Sequence, residues 1–102
     1  MDLQEIIDVK KDIIKYMEFL SSKDIESRLF GMACIQTDMF LMTYIKLKLD
    51  PERFFIFKYY LEKCCDLTTD NNVQNLYISR VGLTLSRLLH DITYFPYNYQ
   101  YD

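Results

Sequence analysis

Residues 46–55 read KLKLDPERFF, and how Asp50-Pro51-Glu52 is read decides how the chain divides. Proline fixes its own φ and pushes the preceding residue out of helical geometry, so a helix arriving at Leu49 must stop there. Proline is equally at home at the first position of a new helix, where its missing N–H would have no partner anyway. Asp50 is the residue type that caps such a start, and Glu52 suits the positive end of the helix dipole. The stretch therefore predicts one helix ending and a second beginning, with no room for a long loop.

Two further breaks carry the same chemistry. Ser21-Ser22-Lys23-Asp24 and Asp66-Leu67-Thr68-Thr69-Asp70-Asn71-Asn72 are polar, rich in cap residues and free of apolar periodicity. Asn71 followed by Gln74 has the spacing of a capping box. Between the breaks the apolar residues recur at steps of three and four. Leu3, Ile6, Ile7, Ile13, Ile14, Met17 and Leu20 form one stripe, and Phe54, Phe57, Leu61 and Cys64 a second. Val73, Tyr77, Val81, Leu88, Ile92 and Phe95 form a third, opposite Ser79, Arg80, Ser86 and Arg87. The segment from Asp24 to Lys48 is apolar on most sides, as a central bundle helix is. The expectation is an all-α chain of four helices near 3–21, 24–48, 52–66 and 72–95. One local signal opposes it: FFIFKYY, 54–60, is rich in residues that also suit a strand.

The two halves resemble each other. Ile13-Ile14-Lys15-Tyr16 pairs with Ile56-Phe57-Lys58-Tyr59, and Arg28-Leu29-Phe30 pairs with Asn75-Leu76-Tyr77. Leu41, Met42 and Ile45 then pair with Leu88, Leu89 and Ile92, and the shift between the alignments falls in the longer loop around Thr69. This predicts two similar helical hairpins in tandem, an internal duplication with halves about 3–49 and 51–95 in a single domain, 1–102, followed by an aromatic tail, 96–102. Tandem hairpins leave a groove where they meet; the arrangement resembles tetratricopeptide-type arrays in architecture, without their consensus residues.

Small size, few glycines, many Tyr and Ile residues and a duplicated hairpin resemble the orphan proteins of archaeal filamentous viruses, such as the lipothrixviruses that infect Acidianus. The resemblance implies a viral protein in a host cytoplasm, working through contacts with other proteins. It carries over no functional residues.

Composition removes several functions. With 102 residues, half of them hydrophobic, the chain has enough material for one core and is not disordered. A net charge of −3, with Lys10, Lys11 and Lys15 interleaved with Asp8, Asp12 and Glu18, lacks the positive field that a nucleic-acid backbone requires. The N-terminal MDLQEIIDVKK has acids where a signal peptide needs a basic start, which leads to the expectation of an intracellular protein. The least charged stretch, Leu29 to Ile45, holds Gln36, Thr37 and Asp38 at its centre, so no membrane span is expected.

Candidate chemistry is thin. His90 and Asp91 are adjacent, and adjacent helix positions point about 100° apart, so the acid would not orient the imidazole as in a triad. Cys34, Cys64 and Cys65 lack zinc-site spacing and read as buried free thiols; a Cys34 disulfide to Cys64 or Cys65 is the alternative. Met32, Met39 and Met42 beside Phe30, Phe40 and Tyr44 read as core. Gly31 and Gly82 sit inside helices and suggest close helix approaches. No cofactor, metal or catalytic site is expected, and the protein is not read as an enzyme.

The tail YFPYNYQYD, 94–102, places Tyr97, Tyr99 and Tyr101 at period two after Pro96, so that an extended arm would show three rings on one side. Either the arm folds back over an aromatic face such as Phe55, Tyr59 and Tyr60, or the arm and its groove form a recognition surface, for which tyrosine is well suited. The functional expectation is a protein–protein interaction module gripping a protein or peptide segment between its two motifs, with a homo-oligomer also possible. The competing reading is a small helical nucleic-acid-binding or transcriptional regulator presenting Arg80 and Arg87 outward.

Overall fold

The computed structural model describes residues 1–96 and contains helices only among them. The helices are α1 (Leu3–Leu20), α2 (Ile25–Thr37), α3 (Met39–Lys48), α4 (Pro51–Cys64) and α5 (Asn71–Tyr94). FFIFKYY lies within α4, and its strand-like composition is overridden: Phe57 goes into the core on a three/four stripe with Leu61 and Cys64.

Each helix begins on an aspartate. Asp2, Asp24, Asp38, Asp50 and Asp70 adopt non-helical backbones, and their carboxylates accept a backbone N–H from the first turn. At the 46–55 junction Asp50 accepts the Arg53 amide at 2.9 Å, with Pro51 at the first helical position as its chemistry demands. The expected capping box at Asn71–Gln74 does not form. Asp70 caps instead, bonding the Asn72 amide at 2.8 Å, while Gln74 turns inward and donates to the Cys64 carbonyl at 3.0 Å. Buried Gln74 thus satisfies a carbonyl that the end of α4 would leave open.

The second expected helix, 24–48, is two helices, which makes the total five rather than four. The break is at Asp38, with φ −81° and ψ 100°. One carboxylate oxygen accepts the Leu41 amide at 3.0 Å, and the other accepts the Tyr16 hydroxyl of α1 at 2.7 Å. Just before it, the Thr37 hydroxyl bonds back to the Ala33 and Cys34 carbonyls, each at 3.2 Å. Aspartate and threonine offer the backbone an alternative to the helical ladder, and here the buried Tyr16 makes that alternative the better one.

The four longer helices follow one another around the bundle in the order α1, α2, α4, α5, with α5 returning to α1, and α3 packs on α1, α2 and α4. The core is Ile6, Val9 and Ile13 of α1, Met32 and Ile35 of α2, Leu41, Tyr44 and Ile45 of α3, and the inner stripes of α4 and α5. On α1 this corrects the sequence reading. Leu3, Ile7 and Ile14 are exposed, while Val9 and Tyr16 take the inner positions. The methionines divide as well: Met32 is buried, Met42 is partly buried, and Met39 is 81% exposed next to exposed Phe40.

Gly31 does mark a close approach. A β-carbon there would stand 2.7 Å from Phe19 Cβ and 3.2 Å from Leu20 Cδ2, both on α1. Gly82, for which the same role was expected, would meet nothing within 4 Å. The three cysteines are free thiols, so no disulfide joins the halves. Among the described residues no helix is long and apolar enough to cross a membrane.

Candidate functional site

The Asp50-Pro51 elbow shapes one surface cleft. Asp50 is extended and Pro51 starts a new helix at once, so the end of α3 and the first turns of α4 meet at this elbow. The wedge between them is a cleft of about 350 Å³. Its lining is Leu49, Pro51, Phe54 and Phe55, with Lys46 of α3 and Lys58 of α4. Neither ammonium makes an ion pair within the described residues. Phe55 is 70% exposed, an unusual position for a large apolar ring.

One turn further along α4 the surface continues as an aromatic cluster. Tyr60 stacks on Tyr77 of α5 with ring centroids 4.9 Å apart and planes at 20°. Tyr59, 45% exposed, meets Tyr77 edge-on at 6.1 Å and Tyr60 at 6.3 Å. Such edge and offset arrangements are the favourable ones for aromatic quadrupoles. The structure thus brings Phe55, Tyr59 and Tyr60 onto one helix as the sequence placed them. It adds Tyr77, which sequence periodicity had assigned to the core stripe of α5. Val81, four residues on from Tyr77, is fully buried, but Tyr77 itself sits at the flank, where it packs on α4. Tyr97, Tyr99 and Tyr101 lie outside the described residues.

Burial pushes the Cys64 thiol up to about 11, with Cys65 beside it adding to the effect, and burial also raises Cys65, so neither is a ready thiolate. His90 Nδ1 is 3.8 Å from Asp91 Oδ1, too far for a hydrogen bond, and the ring lies against Tyr94 at 4.7 Å. No cluster of potential metal ligands occurs among the described residues.

One titratable cluster stands apart, on α1 and the α2–α3 break. Partial burial and the neighbouring Asp38 carboxylate push Asp12 up to about 6. Asp38 is held below its usual range: partial burial works against ionisation, but hydrogen bonds from Asp12, the Leu41 amide and Tyr16 outweigh it. Burial and the acceptor Asp38 raise the Tyr16 hydroxyl well beyond its ordinary value. Asp12, Asp38 and Tyr16 thus form one interacting cluster at the start of α3.

Comparison of the chain with family models, curated proteins and solved structures finds no match.

Proposed function

We propose that this chain is a protein–protein interaction module that holds a protein or peptide segment between its two helical halves, α1 to α3 and α4 with α5. The observation that carries the reading is the exposed aromatic surface of α4, where Phe55 lines the cleft between the last helix of one half and the first of the other and exposed Tyr59 follows one turn further on. Apolar rings at such exposure are costly in water unless something covers them, and contiguous apolar patches commonly mark binding sites. Aromatic side chains with few rotatable bonds are favourable anchors because little entropy is lost on ordering them.

The same reading takes the two halves as a structural repeat. In its support, Arg28 and Asn75, which the alignment of the halves equates, hydrogen-bond at 3.2 Å, as equivalent residues near a twofold axis do. The resemblance to orphan proteins of archaeal filamentous viruses sets the module in an infected host cell.

The test is a capture experiment from host lysate with the wild-type chain and a Phe55→Ser/Tyr59→Ser double variant. Both residues are exposed, so the variant should keep its helices by circular dichroism. Partners retained by the wild type and lost by the variant support the reading; an unchanged set of partners refutes it.

A further inference from the structure

On the outer face of α5, Leu76, Arg80, Leu83, Arg87, His90 and Tyr94 follow one another at alternating steps of four and three, and every one of them is exposed. That spacing is the seam of a coiled coil, with Leu76, Leu83 and His90 at one core position and Arg80, Arg87 and Tyr94 at the other. The leucines are 51% and 61% exposed. Neither guanidinium makes a hydrogen bond or ion pair within the described residues. The seam runs about 27 Å at 1.5 Å per residue, five turns of helix.

We propose that this face of α5 is a docking seam for an acidic amphipathic helix of a partner protein, one that offers leucine-type side chains to Leu76 and Leu83 and carboxylates to Arg80 and Arg87. It goes beyond the α4 surface described above and does not rest on it. Charge selects the occupant. A second copy pairing through the same face of α5 brings no carboxylate into the seam in either orientation, since parallel pairing sets arginine against arginine and antiparallel pairing sets it against leucine or histidine. The only acid on α5 is Asp91, and it lies off the seam, toward Tyr44. In parallel self-pairing the like charges oppose each other, and in antiparallel self-pairing the guanidiniums gain no carboxylate. Nucleic acid is the poorer fit, because two arginines separated by an exposed leucine offer few phosphate contacts and set an apolar side chain against a charged backbone. An arginine with glutamate opposite it, flanked by leucines, has both its charge and its aliphatic stem accommodated.

The experiment uses the full chain and two labelled helical peptides of about 21 residues, three heptads each, with Leu at one seam position. One peptide carries Glu at the other seam position, the second Lys; a duplex DNA of about 20 base pairs is the third probe. Fluorescence anisotropy should show the Glu peptide binding at least about tenfold more tightly than the Lys peptide, as two desolvated charge pairs require. Arg80→Glu/Arg87→Glu should reverse that order, and Leu83→Asp should weaken both peptides, with helix content unchanged in each variant. Equal binding of the two peptides, indifference to the charge reversal, or tighter binding of the DNA than of the Glu peptide would overturn the proposal. So would a chain whose own self-association is lost on Leu83→Asp, since the seam would then belong to a second copy.

Discussion

Replacing each glycine in turn by alanine separates close packing from helix propensity. Both glycines are interior to helices, so alanine at either should gain about 1 kcal/mol of intrinsic helix stability. At Gly82 nothing opposes the gain, because the new β-carbon meets nothing within 4 Å. At Gly31 it would stand 2.7 Å from Phe19 Cβ, where ordinary contact begins near 3.4 Å. Both β-carbons are fixed by their backbones, so no side-chain rotation relieves the clash and α1 must move away from α2 by about 0.7 Å or more. Overpacking of this kind costs about 1–3 kcal/mol, and a backbone-tethered clash belongs at the upper end. Gly31→Ala should therefore be destabilised by about 1–2 kcal/mol net, and Gly82→Ala stabilised by about 0.5–1 kcal/mol. At roughly 4–8 °C per kcal/mol for a domain of this size, the two variants should melt about 6–24 °C apart on either side of the wild type. Thermal and urea unfolding followed by circular dichroism at 222 nm measure this directly. A Gly31→Ala protein as stable as the wild type would refute the tight α1–α2 approach and the reasoning built on it.

Three other predictions concern the titratable and capping groups. Asp38→Ala removes both the α3 cap and the acceptor of the buried Tyr16 hydroxyl, and should cost about 2–4 kcal/mol in urea unfolding, whereas Asp38→Asn, which keeps an acceptor oxygen, should cost visibly less. Asp12 is raised from 3.8 to about 6 in the folded chain, so the folded state binds the extra proton between those values, and this contribution to stability is present below pH 4 and lost as pH rises through 6. Allowing for solvent screening of a partly exposed pair, Asp12→Asn should be about 1 kcal/mol more stable than wild type at pH 8 and show no advantage at pH 4; equal effects at both would break the assignment. Cys64, raised to about 11 and fully buried, should resist iodoacetamide at pH 7.5 in the native chain and react once it is unfolded, as read by peptide mass spectrometry.

Much of the architecture is local and was legible in the sequence. Asp50-Pro51 ends one helix and starts another because proline excludes helical geometry before it and tolerates it after, whatever surrounds it. The all-helical character follows from apolar steps of three and four on α4 and α5 and from polar breaks between helices. Phe55, Tyr59 and Tyr60 fall on one helix for the same reason, and α4 exposes the first two because Phe57 and Leu61 claim its inner face.

What tertiary structure alone decided are the choices that local chemistry left balanced. Thr37-Asp38 can sit within a helix or end one. The hydroxyl of Tyr16, reaching across from α1, makes ending it favourable and so creates α3. On α1, Ile6, Ile7, Ile13 and Ile14 supply apolar side chains to more than one face, and no periodicity ranks them. The positions of α2 and α5 put Val9 and Ile13 inside and leave Ile7 and Ile14 out. Gly31 and Gly82 are alike as letters in a helical stretch, yet only Gly31 lies where another helix presses close enough to exclude a β-carbon. Tyr77 looked like core until α4 was beside it, because whether a flank position is buried depends on the neighbour that packs there. In each case the deciding contact joins residues far apart in the chain, and no window of sequence contains both partners.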